Sequence, residues 1–193
     1  LLDDPEQEEI GLMGMALKNG QVVIPGIIHK IRSYPTGKGS TSYARFSSDM
    51  SEINEEKIKQ FVSATGYVGI FDIEMIKAYG RYWFIEINYR NGQYGYTPTA
   101  AGYNLPVNWL YGMKNEKVEK CNNLQEIYYI NERDDYQHVK EGTINKKEWL
   151  KEFHAASAYG IYCPGDQRPF IRQYVKIPDR VIIKGNKLKS NIK

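Results

Sequence analysis

The sequence predicts an α+β fold, a mainly antiparallel sheet flanked by helices. Two pairs of strand-like segments, over residues 10–29 and 66–90, are each joined by a short turn, and a connection that short pairs strands antiparallel. Stretches near 51–63 and 145–158 carry apolar residues at helical spacing instead. Of 193 residues, 41% are hydrophobic and 25% charged, a globular balance that lets a core be buried. The 16 tyrosines suit strands and the 17 glycines suit tight turns between them.

The first pair, Ile10 to Leu17 and Gln21 to Ile28, flanks Asn19-Gly20, which favours the positive φ angles of a type I′ turn. Arg32 to Ser40 is rich in turn formers and basic residues and reads as a loop; Ser40 to Phe46 reads as a strand. A helix is expected from Ser51 to about Ser63. Ser51 can cap it, Glu52, Glu55 and Glu56 suit its positive end, and Ile58, Phe61 and Val62 can face the core. Gly66 to Lys77 and Tyr82 to Arg90 form the second pair, and Asn91 to Thr99 a loop. Pro106 opens a short helix through Tyr111. Glu126 to Asn131 is a candidate strand. Asn145 caps a helix to about Ala158, with Glu148 three residues on and Trp149, Leu150 and Phe153 as its apolar stripe. Arg180 to Lys184 is a candidate closing strand. The chain divides most naturally near Gly112 to Asn123, giving domains 1–112 and 113–193.

Net charge is +3, from 26 basic and 23 acidic residues, too balanced for the strongly basic face of a nucleic-acid binder. The basic tail from Lys184 to Lys193 reads as a solvated terminus. Cys121 and Cys163 lack metal-ligand spacing and fit reduced thiols in a cytoplasmic protein. No run reaches the roughly 18 apolar residues of a membrane span, and no signal-peptide pattern is present. The chain opens Leu1-Leu2-Asp3-Asp4-Pro5 without an initiator methionine and is expected to be a piece of a longer protein.

The candidate chemistry lies on the second hairpin. Side chains alternate along a strand, so Asp72 and Glu74 share one face. Glu86, Asn88 and Arg90 share a face with Tyr82 and Phe84, and Trp83, Ile85, Ile87 and Tyr89 lie opposite. A three-residue loop, Tyr79-Gly80-Arg81, pairs Ala78 with Tyr82, Glu74 with Glu86 and Asp72 with Asn88. A two-residue loop sets Glu74 against Ile85. The hydrophobic pattern selects the first register. Opposed carboxylates repel, and a divalent cation between them reverses the sign. Two glutamates and an asparagine carbonyl are oxygen donors suited to magnesium or manganese, not zinc. Arg90 projects the same way and can meet a phosphate or carboxylate. On spacing alone, a solvated strand face neutralised by Arg90 explains the same pattern.

Phe84-Ile-Glu-Ile-Asn-Tyr-Arg90 resembles the metal-binding strand of the ATP-grasp superfamily, and Gly69-Ile-Phe-Asp-Ile-Glu74, twelve residues earlier, resembles the strand that delivers the first metal ligand. The likeness is to biotin carboxylase and carbamoyl-phosphate synthase-like members. Asn91 to Pro106, and Asp134 to His138 with the following helix, are similar to carboxylate-amine ligases close to D-aspartate ligase. The resemblance spans about residues 8–175 and is strongest over 64–110.

The resemblance implies an ATP- and magnesium-dependent ligase. ATP phosphorylates a carboxylate, and an amine or thiol attacks the acylphosphate. Glu74, Glu86 and Asn88 are implied to hold Mg2+ (or Mn2+) against the nucleotide phosphates, with Arg90 orienting the transferred phosphate or acyl intermediate. Positioning and charge stabilisation carry such a reaction. Asp72 is read as a neighbour of the site. Lys30, Arg32 and Lys38, with His29, stand where related ligases reach phosphates or the substrate carboxylate, and otherwise belong to a surface loop. The α-phosphate lysines and the adenine hinge of the family are expected upstream. The chain is therefore read as the second half of an ATP-grasp module plus a carboxy-terminal extension, inactive alone, whose partners are small-molecule carboxylate and amine substrates and the upstream remainder. No nucleic-acid or membrane partner is expected. A non-catalytic nucleotide- or metabolite-binding module, and a carboxylase-like variant using bicarbonate, are the competing readings.

The remaining candidates are weaker. His138 and His154 read as structural or exposed, and Trp149 and Phe153 as core. Asp166, Arg168 and Pro169 read as a loop. Tyr94 and Tyr96 can line a pocket beside Arg90.

Overall fold

One sheet runs through most of the chain, and its strand order is what assembles the candidate site. A computed structural model describes residues 4, 7–37 and 39–174. The chain forms two compact units, 1–160 and 161–193. In the first unit the strands are β1 (Glu8–Ala16), β2 (Val22–Val23), β3 (Ile27–Tyr34), β4 (Ser40–Ser47), β5 (Gly69–Ala78), β6 (Arg81–Asn88), β7 (Ile127–Ile130) and β8 (Ala158–Tyr159). They form one sheet in the order β6-β5-β1-β3-β4-β7-β8, with β2 added beside β1. The β7–β8 pair is parallel and the others antiparallel. The helices are α1 (Glu55–Ala64), α2 (Thr97–Ala100), α3 (Leu105–Met113), α4 (Glu132–Lys140) and α5 (Lys146–Ala155). The expected α+β class with a mainly antiparallel sheet is what the chain adopts.

Alternation along the strands gives the sheet two buried faces. Met13, Met15, Ile28, Ala44 and Phe46 pack with Tyr94, Tyr103 and Leu105 from the α2–α3 segment. On the opposite face Ile10, Leu12, Ile27 and Ile73 pack with Val62 of α1, and Tyr43 and Ile130 with Trp149 of α5. Fully buried side chains of this size each contribute roughly 1.5–3 kcal/mol. Trp149 and Phe153 stack within this core, as expected of them.

Several boundaries differ from the sequence reading. The first helix is capped by Asn54, whose side chain accepts from the Lys57 amide, and not by Ser51; Phe61 stays 45% exposed. Between β1 and β2 only Gly20 has positive φ (82°). The Leu17 carbonyl accepts from the Gly20 amide at 3.0 Å, and the Leu17 amide donates to Gln21 at 2.9 Å. That is a three-residue loop closed by a glycine bulge, not a type I′ turn. Arg32 to Tyr34, expected in a loop, continue β3. The 91–99 segment contains the start of α2. Helix α4, capped by Asn131, was not expected as an element from its own polar run, whereas the Asn145 cap of α5 was.

In the second unit, α6 (Arg168–Tyr174) begins where a loop was expected, and Arg168 pairs with Asp166. The candidate strand Arg180 to Lys184, the basic tail and Lys38 lie outside the described residues. Among the described residues no helix is long and apolar enough to cross a membrane. Cys121 and Cys163 are unpaired.

Candidate functional site

Strand β5 lies between β1 and β6, and its register sets the site. Glu74 stands opposite Glu86, and Asp72 opposite Asn88. This is the expected pairing, reached by a different route. Ala78 pairs with Arg81, so the loop is the two-residue Tyr79-Gly80, with φ of 52° and 68°. Both central residues are positive, the requirement of a type I′ turn. Met75 then pairs with Phe84 and Glu74 with Glu86, leaving Ile85 as an inserted bulge residue. The bulge shifts the ladder by one and returns Glu86 to the face of Glu74. It also moves Tyr82 and Phe84 off the acidic face, to which the sequence reading assigned them. Tyr82 packs with the Ile73 cluster and Phe84 against Phe61 of α1, on the other side.

Strand β1 aligns Gly11 with Glu74 and Met13 with Asp72, and β3 aligns Ile28 with Gly11. Lys30, two residues beyond Ile28, therefore rises on the same face. Its Nζ lies 2.6 Å from Glu74 Oε2 and 3.5 Å from Glu9 Oε2. These residues, with Asp72, Arg90 and Tyr94, line a cleft of about 270 Å³. Gln93 and the Gly39–Thr41 backbone region complete its wall. Tyr94 is buried as expected of a pocket tyrosine, whereas Tyr96 is 59% exposed.

Asp72 is 3% exposed and accepts a 2.8 Å hydrogen bond from the Tyr94 hydroxyl. Burial pushes its carboxyl up to about 6, helped by the charge of Glu74; the Tyr94 bond and the cations Lys30 and Arg90 pull the other way. Burial, then the charge of Asp72, raises the Tyr94 phenol. Two glycines permit this arrangement. A Cβ on Gly11 would fall 2.3 Å from the Tyr94 hydroxyl, and one on Gly92 would fall 2.5 Å from Asp72 Oδ2. Sequence reasoning treated Asp72 as a bystander and overlooked Glu9; position 9 shares the alternation of Gly11 and Met13, which was the available signal.

Glu86 is exposed, and the Asn88 side-chain amide donates to its Oε1 at 2.8 Å. Arg90 is exposed, and among the described residues its hydrogen bond goes to the Asn91 carbonyl, at 3.3 Å. Among the described residues no group of three or more His, Cys, Asp or Glu side chains is set to hold a metal ion. The oxygen donors that the β5–β6 register sets across from one another here are the Glu74 and Glu86 carboxylates, with Asn88 two residues on.

Arg32 is not brought to this cleft. In the β3–β4 ladder Lys30 pairs with Ala44, Arg32 with Tyr43 and Ser33 with Thr41, which leaves Ile31 and Ser42 unpaired as bulges. They turn Arg32 toward α4 and α5. There it makes two bonds to Asp135 (3.1 and 2.9 Å) and two to Glu152 (3.1 and 2.7 Å), stacked 4.3 Å over the Tyr43 ring. Burial would lower its pKa, but the bonds and charges of Asp135 and Glu152 reverse that and raise it. His29 bonds Glu8 at 2.5 Å, and His138 is buried with Nε2 3.1 Å from the Ser33 carbonyl.

No protein-family model matches the chain, and no curated protein matches it in sequence. Solved structures match its fold. The phosphoribosylaminoimidazole carboxylase ATPase subunit from Aquifex aeolicus gives a TM-score of 0.54 at 18% identity, over 64% of this chain and 40% of that one. A multifunctional pyruvate carboxylase from Rhizobium etli gives 0.53 at 13% identity, over 64% of this chain and 14% of that one. Biotin carboxylase from Campylobacter jejuni, solved as a β,γ-ATP complex, gives 0.50 at 13% identity, over 65% of this chain and 29% of that one. The chain thus spans 14 to 40% of the length of these structures. At such identities the likeness is one of fold, and it agrees with the ATP-grasp expectation drawn from the β5–β6 motif. None of these three is a D-aspartate ligase.

Proposed function

We propose that the chain is part of an ATP- and magnesium-dependent carboxylate-amine (or thiol) ligase that works through an acylphosphate. Residues 1–112 would supply the carboxy-terminal ATP-grasp subdomain and 113–193 an extension, in a cytoplasmic protein whose upstream part binds adenine and the α-phosphate. The observation that carries this reading is the β5–β6 register, with Glu74 opposite Glu86 and Asp72 opposite Asn88, within a fold shared with ATP-dependent carboxylases.

The donor set fits a hard divalent cation. Magnesium is usually held through one or two carboxylates, with water and substrate phosphates completing its shell. Glu74 and Glu86 supply the two carboxylates and Asn88 a neutral carbonyl. Held by Glu74, Glu86 and Asn88, Mg2+ would neutralise the negative charge of the nucleotide phosphates. The remaining work falls to the chain's own cations. Lys30, held at 2.6 Å by Glu74, is within the cleft to meet a phosphate or substrate carboxylate. Arg90 offers a planar fork free of ion pairs among the described residues, suited to orienting the transferred phosphate or the acyl group. Lys38, outside the described residues, is the candidate for a further phosphate contact. Arg32 acts at one remove, by fixing β3 against α4 and α5.

Calorimetric titration of Mg2+·ATP into the whole chain tests the assignment. Glu86→Ala is expected to weaken Mg2+-dependent binding about tenfold or more, since a charge-assisted ligand is lost. Equal affinity in wild type and variant would remove Glu86 from the cation site.

A further inference from the structure

We infer that Lys30 is a positioning residue that controls how the cation site fills: its ammonium competes with a bare divalent ion for Glu74 and releases that carboxylate when nucleotide phosphates arrive to take the ammonium. The inference rests on the ligase reading of the Glu74–Glu86 pair and adds an order to it, with cation and phosphate entering together.

Three strands bring the ammonium to the carboxylate. Strand β5 aligns Glu74 with Gly11 of β1, and β3 aligns Ile28 with Gly11 from the other side. The same β1–β3 register, continued along the strands, sets Glu9 level with Lys30. Lys30 Nζ thus stands between two acids on one face of the sheet, 2.6 Å from Glu74 Oε2 and 3.5 Å from Glu9 Oε2. Its side chain is only 9% exposed. A desolvated ammonium has to keep a counter-charge, so this pair is not the freely exchanging contact of two surface side chains.

The consequence for a cation follows from charge. Glu86 is exposed and accepts from the Asn88 amide, whereas Glu74 is engaged by Lys30. A bare divalent ion that takes Glu74 as a ligand meets a positive charge already at that carboxylate, and like charges this close repel strongly in partly desolvated surroundings. Displacing Lys30 relieves the repulsion but leaves a buried ammonium with Glu9 alone, at 3.5 Å. A polyphosphate removes both difficulties. It supplies oxygens to the cation, which suits magnesium with its few protein ligands, and it offers acceptors to the ammonium N–H groups. Arg90 does not contest Glu74: it is exposed, and among the described residues its hydrogen bond goes to the Asn91 carbonyl.

The test titrates Mn2+ alone, then Mn2+ with ADP, into the whole chain and follows paramagnetic broadening at Glu74 and Glu86. Lys30→Met removes the charge and keeps an apolar stem; it is expected to bind Mn2+ alone about tenfold or more tighter than wild type. Loss of a merely structural contact would not raise affinity. Lys30→Gln, neutral but able to donate to Glu74, is expected to show a gain of the same sign, which keeps the test decisive if Lys30→Met does not fold. Arg90→Met lowers the charge of the cleft without touching Glu74, and is expected to stay within about threefold of wild type because exposed charges are screened by salt. ADP is expected to tighten Mn2+ binding in wild type and to do so about tenfold less in the Lys30 variants, since the group that couples phosphate to cation is gone. Unchanged Mn2+ affinity in a folded Lys30 variant, or an equal gain in Arg90→Met, overturns this inference alone, provided that Glu86→Ala still removes the broadening. Broadening at neither glutamate in any sample, with or without ADP, overturns the ligase reading and this inference with it.

Discussion

Arg32 and Lys30 are two residues apart on one strand and serve opposite faces of the sheet. Lys30 completes a mixed-charge cleft with Glu9 and Glu74. Arg32 instead forks onto Asp135, whose side chain is fully buried, and onto Glu152. Ser42 also donates to Asp135 at 2.7 Å. Removing one partner of such a pair leaves a buried charge without compensation, which costs more than the pair itself contributes. Arg32→Ala is thus expected to destabilise the fold by about 3–5 kcal/mol, read by urea unfolding. A change below 1 kcal/mol, on the scale of an exposed pair, would show that the Arg32 network is not holding α4 and α5 to the sheet. The sequence placed both basic residues in one ligand-facing loop because a bulge leaves no trace in hydrophobic periodicity. Ile31 is 47% exposed and looks like any other strand residue on paper.

At the scale of elements, the β5–β6 hairpin shows how a correct pairing can follow from a wrong turn. A three-residue loop, and a two-residue loop followed by a one-residue bulge, give the same partners beyond the bulge. The apolar alternation of Ile73 and Ile87 therefore disclosed that Glu74 meets Glu86 without disclosing how. Tyr79 gave no local signal, since a bulky residue at φ 52° is uncommon. Asn19-Gly20 gave too strong a one, because Gly20 serves a bulged loop equally well. Deleting Ile85 provides a direct check. With the bulge removed and the two-residue turn kept, Glu86 still falls opposite Glu74, and Mg2+-dependent nucleotide binding is expected to persist. Its loss would show that the bulge itself shapes the acidic face. The caps at Asn54 and Asn131 were missed because each lies in a run of polar residues with several capping candidates; Asn145 stands just before a clear apolar stripe.

Across the whole molecule, the site depends on contacts far apart in sequence. Strand β1 sits between β3 and β5, and only that insertion brings Lys30 beside Glu74 and Glu9. The pairing of Lys30 with Glu74 could not be read from periodicity, which is local. Asp72 and Tyr94, 22 residues apart, meet where the absence of a side chain at Gly11 leaves room for the Tyr94 hydroxyl. Against the neighbours in fold, the chain spans a minor part of each structure, and the ligase reading places the adenine contacts elsewhere. The isolated chain is accordingly expected to show no ATP-dependent ligation with a panel of carboxylates and amines, assayed by phosphate release. Measurable turnover would contradict the assignment of essential groups to an upstream segment.

The cation cage itself is tested most directly by paramagnetic relaxation with Mn2+·ADP. The account predicts that resonances of Glu74, Glu86 and Asn88 broaden first and together, and that Glu86→Ala removes the effect at all three. Broadening spread over the exposed acids, or centred away from the β5–β6 hairpin, would contradict it.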